Sequence, residues 1–233
     1  MTTLSKMAAE KLVSVVEDNQ PSAGGRWAAG EDPAKRQQIL DGARYVFMKM
    51  GFDAASMNDV TREAGVSKGT LYVYFANKED LFTAMMEDQR DRFVAMIRTA
   101  LAEHDNLQDS LYQFGMVFVT HLTDEKVIAA MRTVIGVRDR MPSLCRRFFS
   151  GPENVRTVLK DFLAREVVAG NLEIDDLDMA ARHFLDLSSS SFFKLRLFGD
   201  MEVAPPREDI DYTIRGAIRV FMAAYGAKQK KLA

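Results

Sequence analysis

The stretch AGVSKGTLYVYFANKEDLF, which runs from Ala64 to Phe82, decides the fold. Gly65 is expected to end the preceding helix. Ser67 can then cap a short helix that we predict to end at Phe75. Leu71 and Phe75 lie four residues apart in this helix, so both are expected to face inward. The other faces of the helix then carry polar or aromatic side chains, namely Lys68, Thr70, Tyr72 and Tyr74.

Two predicted helices precede this one. The first runs from Asp32 to Gly51 and carries one apolar stripe, and the second runs from Ser56 to Ala64. Two short helices joined by a tight turn at Gly65 meet the requirements of a helix-turn-helix unit. Gly69 fits the same interpretation, because a residue without a side chain lets the helix backbone approach a base edge closely.

The rest of the chain also has a helical pattern. Six further helices are predicted: Asn77–His104, Leu107–Leu122, Asp124–Arg140, Pro142–Ala169, Asp176–Phe198 and Pro206–Tyr225. Pro152 is expected to kink or interrupt the fourth of them. No segment shows the sustained alternation of a strand between hairpin turns. We therefore predict an all-α protein of about nine helices, with an N-terminal three-helix helix-turn-helix domain and a C-terminal helical domain.

Composition restricts the class of protein. The chain has 233 residues, of which 47% are hydrophobic and 27% charged, as in a globular protein. The net charge of -2 means that any contact with nucleic acid must come from a local surface. Cys145 is the single cysteine, which excludes an intramolecular disulfide. No run of about 18 apolar residues and no leader-like start occurs, so we expect a cytoplasmic protein without a membrane partner.

Catalytic and metal-binding patterns are lacking in the sequence. There is no glycine loop for phosphate, no nucleophile elbow and no convincing acid–base pair. His183 has no second histidine or cysteine at ligand spacing. We therefore predict that the protein is not an enzyme and holds neither a cofactor nor a metal.

The segment from residue 33 to about 82 resembles the N-terminal DNA-binding domain of the TetR/AcrR family of bacterial transcriptional regulators. The resemblance rests on AGVS, GTLY, YF and NKEDL, together with ILDGARYVFMKMGFDAASMNDV before them. The remainder of the chain matches the family only in length and helical layout. The resemblance implies a regulator that binds double-stranded DNA as a homodimer.

The resemblance also implies which residues meet DNA. Base edges would be contacted by Lys68 and Gly69, with Tyr72 at a base or the adjoining phosphate. Phosphates would be contacted by Thr70, Tyr74, Lys78 and Ser56, and Asn58 is a further candidate base contact. For Lys68, Tyr72, Tyr74 and Lys78, the alternative is an ordinary surface or packing role. Local charge is small, because Arg62, Lys68 and Lys78 are offset by Asp59 and Glu63, so useful affinity would need two copies.

The predicted domain boundaries follow from these assignments. Residues 1–32 form an N-terminal extension and linker, residues 33–82 the helix-turn-helix domain, residues 83–226 a ligand-binding and dimerisation domain, and residues 227–233 a tail. Trp27 lies in the linker, where it either docks on the nearest helix or belongs to an arm that reaches a DNA groove.

A ligand pocket is predicted in the C-terminal domain, because its helices are rich in aromatic residues and methionine. The candidate lining residues are Phe114, Phe118, His121, Met131, Val134, Ile135, Arg138, Phe149, Phe162, Phe184 and Ser188. The alternative is an ordinary filled helical core.

The last two helices carry the predicted dimer interface. Two apolar stripes in each chain would make a symmetric four-helix interface. The candidate residues are Phe184, Ser191, Leu195, Ile214, Ala217, Ile218, Phe221 and Tyr225. The alternative is packing inside the monomer.

These assignments lead to one main functional hypothesis and one alternative. The main hypothesis is a homodimeric repressor of a pseudo-palindromic operator, released by a small apolar or amphipathic ligand. The alternative is a helix-turn-helix regulator without a small-molecule effector, controlled by a protein partner or by its own expression level.

Overall fold

A computed structural model describes residues 28–102, 106–142, 153–189 and 191–227. These residues form ten helices and no named strand, which confirms the all-α prediction. The helices are α1 Pro33–Ala54, α2 Met57–Ala64, α3 Lys68–Tyr74, α4 Lys78–Ala102, α5 Leu107–Thr123, α6 Glu125–Val137, α7 Val155–Val168, α8 Leu177–Ser189, α9 Phe192–Phe198 and α10 Arg207–Tyr225. Trp27 and Phe149 lie outside the described residues, as does the predicted kink at Pro152.

Helix α1 begins as the sequence indicates and is interrupted near its end. The Asp32 carboxylate accepts hydrogen bonds from the backbone N–H groups of Ala34 and Lys35, at 2.9 and 3.2 Å. Gly51 leaves helical geometry at φ 76°, which is the break that the sequence predicts. Phe52 then folds back, and its ring centroid lies 5.8 Å from that of Phe47. This stacking fixes the position of the turn that leads to α2.

The buried side chains form two separate clusters. The first core joins α1, α2 and α3 to the start of α4, and it includes Phe47, Leu71 and Phe82. The second core joins the far half of α4 to α5, α7, α8 and α10, and it includes Phe114 and Phe184. Helix α4 therefore takes part in both cores and connects them rigidly. The boundary predicted near residue 82 falls within this shared helix.

Helix α6 also reaches the first core, which the sequence did not indicate. Val134 and Val137 are 3% and 2% exposed and belong to the cluster around Phe47. Beyond the helix, Met141 packs against the same cluster. A helix of the C-terminal region thus stabilises the N-terminal domain directly.

The segment Asp176–Phe198 forms two helices, α8 and α9, and not the single helix predicted. The break falls at the serine run that begins at Ser188. Serine side chains compete with the helix for backbone hydrogen bonds, so a run of them favours an interruption.

Five of the eight residues predicted for the dimer interface are buried inside the monomer. Phe184, Ile214, Ala217, Ile218 and Phe221 are between 0% and 8% exposed, and all five lie in the second core of the chain itself. Side chains that are this deeply buried in one copy have little surface left to contact a second copy. The apolar stripes of α8 and α10 face each other within the monomer.

The rest of the predicted interface retains some exposed surface. Ser191 is exposed, whereas Leu195 and Tyr225 are half-buried. On the outer face of α10, Tyr212 and Val220 are 80% and 51% exposed. This outer face of α10 is accessible to solvent in the monomer.

Candidate nucleic-acid interface and ligand cavity

The turn between α2 and α3 is fixed by caps at each helix end. Ser56 and Asp59 form a capping box at the start of α2, with the Asp59 N–H donating to Ser56 Oγ at 3.2 Å. Gly65 adopts the left-handed conformation at φ 63° and ends the helix. Ser67 Oγ then accepts from the backbone N–H of Thr70 at 3.0 Å, which starts α3. Local sequence therefore determines the angle between the two helices.

Close packing of α1 against α2 depends on Gly42. A Cβ atom at this position would lie 2.7 Å from the Cβ atom of Ala64 and 2.9 Å from its backbone nitrogen. Real Cβ contacts do not reach such distances, so only glycine fits. The sequence alone does not reveal the need for glycine at this position, because nothing in the local pattern shows which helix faces meet.

Helix α3 presents one face to the core and one to solvent. Leu71 and Phe75 are 0% and 2% exposed, as predicted. Tyr72 is 45% exposed, and Lys68 is exposed with its Nζ atom 6.0 Å from the centroid of the Tyr72 ring. A Cβ atom added at Gly69 would meet only Ser67 Oγ, at 3.8 Å, so the backbone there is open. The three predicted base-contacting positions therefore share an accessible surface.

Two hydroxyl groups of α3, those of Thr70 and Tyr74, already have partners within the protein. Thr70 Oγ1 lies 2.8 Å from Ser67 Oγ. The Tyr74 hydroxyl donates to the backbone carbonyl of Asp32 at 3.3 Å, and its side chain is half-buried. This bond fastens α3 to the start of α1. The phosphate contacts expected of Thr70 and Tyr74 stay predictions.

Lys78 has a structural role that the sequence analysis missed. Its Nζ atom donates to the carbonyls of Phe52, Asp53 and Ala55, at 2.8, 3.3 and 3.0 Å. It also lies 4.4 Å from the centroid of the Phe52 ring. An ammonium group has three N–H donors, and these three carbonyls provide one acceptor for each. A phosphate contact from this group would require one of these bonds to break.

The start of α2 has exposed polar groups at the positions predicted for DNA contacts. Ser56 and Asn58 are both exposed. Hydrogen bonds from Ser56 lower the pKa of Asp59 below its usual range, and Arg62 pairs with the same carboxylate at 2.7 Å. The acidic side chain nearest the predicted phosphate contact is therefore neutralised locally.

A cavity of about 610 Å³ lies between the two cores. Its walls come from α1, α4, α5 and α6, with the first residues of α7. Apolar wall residues include Phe47, Met48, Phe82, Met85, Phe93 and Met131. The volume is within the range of small-molecule sites, and flexible methionine walls suit ligands of more than one shape.

Only part of the predicted pocket lines this cavity. Phe118, His121 and Met131 do so. The residues that do not are Phe114, Val134, Ile135, Arg138, Phe162, Phe184 and Ser188. Most of these are buried in filled core, but Ile135 is 57% exposed and Arg138 is also exposed, on the outer side of α6. Phe162 instead lines a second cavity, beside Leu107 and Met222, and the other six residues line neither cavity.

The cavity wall contributed by α1 and the first half of α4 was not predicted from the sequence. Arg44, Phe47 and Met48 line the cavity from the helix-turn-helix domain. The apolar stripe of α1 is indistinguishable from ordinary core at the level of sequence. Only the arrangement of α1 against α6 shows that part of this stripe borders an opening.

His121 is the polar group best placed in the apolar part of the cavity. Its ring stacks on Phe93 with centroids 3.6 Å apart and an angle of 12° between the planes. Burial lowers the pKa of His121, and the nearby charge of Asp124 opposes that shift in part. The imidazole is therefore neutral near pH 7 and can both donate and accept a hydrogen bond.

Other kinds of site are not found in the described residues. No group of three or more histidine, cysteine, aspartate or glutamate residues there could hold a metal ion. Within the same residues, no helix is both long and apolar enough to span a bilayer.

A helix-turn-helix whose second helix is capped, anchored on one face and open on the other defines a sequence-reading DNA-binding protein. Residues 39–85 match the family model described as bacterial regulatory proteins of the tetR family. Residues 109–227, just over half of the chain, match the C-terminal domain of AefR-like transcriptional repressors. The chain belongs to the TetR family of transcriptional regulators, which are DNA-binding proteins and not enzymes.

Curated relatives match mainly through the DNA-binding domain. The regulator YfiR of Bacillus subtilis is 34% identical over 85 residues, which is 36% of this chain and 41% of YfiR. UidR of Escherichia coli is 25% identical over 164 residues, 66% of this chain and 77% of UidR. The chain spans about two fifths of the length of YfiR, of the fatty acid metabolism regulator of Bacillus subtilis and of the transcriptional activator FasR of Mycolicibacterium smegmatis.

Solved structures match over most of the chain. A TetR-family regulator from Mesorhizobium loti superposes with a TM-score of 0.76 at 24% identity, covering 83% of this chain and 97% of that one. The flavonoid-responsive regulator FrrA superposes with a TM-score of 0.68 at 29% identity, covering 84% of this chain and all of FrrA. The fold is therefore shared with relatives along both domains.

Proposed function

We propose that the protein acts in the cytoplasm as a homodimeric repressor of a pseudo-palindromic operator and is released by a small amphipathic ligand. The observation that carries the proposal is the exposed face of α3, where Lys68, Gly69 and Tyr72 lie together over a buried Leu71. Groups that read base edges must be accessible and held rigidly at once. Helix α3 meets both conditions.

A dimer is needed for useful affinity. The segment 56–78 carries only Arg62, Lys68 and Lys78 as cations, and Lys78 is engaged by backbone carbonyls. Few phosphate contacts mean weak binding by a single copy. Two copies with recognition helices about 34–36 Å apart would reach successive major grooves on one side of DNA. The outer face of α10, with Tyr212 and Val220, is the surface proposed for this contact.

Ligand release is supported by the position of the cavity. One end of α6 lines it through Lys126, Val127 and Met131, whereas the other end is buried in the DNA-binding domain through Val134 and Val137. A ligand that displaces α6 would therefore act on the domain that carries α3. Such a ligand must bind the two states with different affinity, and a tenfold switch corresponds to about 1.4 kcal/mol.

The names of relatives point to apolar or amphipathic effectors. FrrA is described as flavonoid-responsive, and a Bacillus subtilis relative, 29% identical over 77 residues, is described as a regulator of fatty acid metabolism. The second match covers only 33% of this chain, so it bears on the DNA-binding domain. The apolar cavity walls are compatible with effectors of either kind.

The proposal is tested with an operator selected from random DNA by the purified protein. A two-fold symmetric site, with protection of two half-sites about one helical turn apart, is expected. Fluorescence anisotropy on that operator, titrated with aromatic and acyl compounds, should show release by at least one class. Selection of no symmetric sequence would contradict the dimeric repressor. Release by none of the compounds would instead favour control by a partner or by expression level.

A further inference from the structure

The charged groups around the cavity are predominantly cationic. Four of the five charged lining residues are Arg44, Arg90, Lys126 and Arg156, and the fifth is Asp124. The Asp124 carboxylate caps α6, where it accepts from the backbone N–H groups of Lys126 and Val127 at 2.9 and 3.4 Å. Its negative charge therefore interacts with the N-terminus of α6.

Three of the cations, Arg90, Lys126 and Arg156, line the cavity from segments that pack against one another. Phe93 lies one turn from Arg90 on α4, and its ring stacks on His121 near the end of α5. Lys126 follows a few residues later, at the start of α6. Arg98 of α4 pairs with Glu153 at 2.8 Å, which brings the residues that precede α7 beside α4. Asp124 and Lys126 are exposed, so the cavity opens to solvent beside them.

The two arginines are held in place but retain binding capacity. Arg90 is only 17% exposed and donates through Nε and Nη2 to Asp91, at 3.0 and 2.9 Å. Arg156 donates through Nη1 to Asp178. A guanidinium group has five N–H donors, so these bonds occupy only part of each group. The paired carboxylates do not line the cavity.

We propose that the cavity binds an amphiphilic organic anion, a carboxylate or phenolate on an apolar body, with the acidic group at Arg90, Lys126 and Arg156. This inference rests on the proposed function and specifies its effector. The apolar body lies against Phe93, Met85 and Met131, and the neutral imidazole of His121 hydrogen-bonds a polar atom along it. A cationic effector is disfavoured, because the one carboxylate in the described lining already caps α6.

The test compares head groups on identical bodies by isothermal titration of the full-length protein. Decanoate, decanol and decylammonium form one series, and 2-naphthoate, naphthalenemethanol and naphthylmethylammonium form the other. In at least one series the acid should bind about tenfold more tightly than the alcohol, because a charge-assisted hydrogen bond exceeds a neutral one by that order. The series with the higher affinity identifies an acyl or an aromatic body.

Variants locate the head group. Arg90→Met and Lys126→Met should each remove most of the preference for the acid while leaving the affinity for the alcohol nearly unchanged. Arg98→Met is the matched control, since Arg98 is on the same helix and in an ion pair but does not line the cavity. An unchanged preference in both cavity variants would overturn the inference.

Release from the selected operator is measured in parallel by anisotropy, which separates the two proposals. If an alcohol or an ammonium compound binds as well as the acid and releases the operator, the anion inference is wrong and the proposed function stands. If no compound of either series binds while operator affinity is intact, both the anion inference and ligand release by this cavity are wrong.

Discussion

Arg140, just beyond the end of α6, forms a two-point ion pair with Asp53, which lies in the last residues of α1 after the break at Gly51. Its Nη1 atom contacts Oδ1, and its Nη2 atom lies 2.8 Å from Oδ2. The hydrogen bonds from Arg140 hold the pKa of the Asp53 carboxyl below its usual range. Lys78 binds the backbone carbonyl of the same aspartate. The far end of the helix that lines the cavity is thus fastened to the end of α1, which positions α2 and α3.

Arg140→Gln should weaken ligand release without weakening DNA binding in the absence of ligand. Both side chains of the ion pair are exposed, so the melting temperature should change little. In anisotropy, the concentration of decanoate or 2-naphthoate that releases half of the operator should rise severalfold. Arg138→Gln is the control, because Arg138 pairs with its sequence neighbour Asp139 and so does not join α6 to another helix through this ion pair. Equal responses of the two variants would contradict a specific role for Arg140.

Lys68→Ala and Tyr72→Ala should each weaken binding to the selected operator about tenfold, which is typical of the loss of one good base contact. The chain offers a matched control in Lys49 and Tyr45 of α1, another exposed lysine–tyrosine pair, with Nζ 5.4 Å from the ring centroid. Alanine at both control positions should leave operator affinity unchanged. If the α3 variants bind DNA like the wild type, α3 is not the recognition helix.

Gly42→Ala and Gly69→Ala should have opposite effects. At Gly42 the new Cβ atom would overlap Ala64, and overpacking should lower the free energy of unfolding by about 1 to 3 kcal/mol despite the better helix propensity of alanine. At Gly69 the nearest atom is 3.8 Å away, so stability should be retained while operator affinity falls. Urea denaturation and anisotropy measure the two quantities. A stable Gly42→Ala protein would show that α1 and α2 can separate.

His121 should make stability depend on pH in the mildly acidic range. Its folded-state pKa lies below the ordinary value of about 6.5, so below that pH the unfolded chain binds more protons than the folded one. The free energy of unfolding should therefore fall on acidification from about pH 7.5 to about pH 5.5, and His121→Phe should reduce this fall. His183→Phe replaces an exposed histidine and serves as the control. Identical pH profiles for wild type and His121→Phe would refute the assignment.

Val220→Glu should yield a folded monomer. Val220 is 51% exposed on the outer face of α10, whereas its neighbour Phe221 is 1% exposed in the second core. Phe221→Glu should therefore lose the fold, because it buries a charge. Light scattering should give a mass near 26.2 kDa for the Val220 variant and twice that for the wild type. A dimeric Val220→Glu protein with native circular dichroism would place the interface elsewhere.

The sequence by itself determined the local structure of the DNA-binding domain. Caps at Asp32, Ser56 and Ser67 and the left-handed turn at Gly65 act over a few residues, so their effects can be inferred without knowledge of the rest of the fold. The inward positions of α3 followed from the same short-range periodicity. The same periodicity predicted the all-α class and most of the helix positions.

Only the tertiary structure decided which apolar stripes meet. The stripes of α8 and α10 have the same pattern whether they pack within one copy or between two, and only the structure shows that Phe184 and Phe221 are buried within a single chain. The cavity wall from α1, the insertion of Val134 into the first core and the carbonyl contacts of Lys78 join residues far apart in sequence. Hydrophobic attraction is non-directional, so periodicity identifies a buried face but not the surface that covers it.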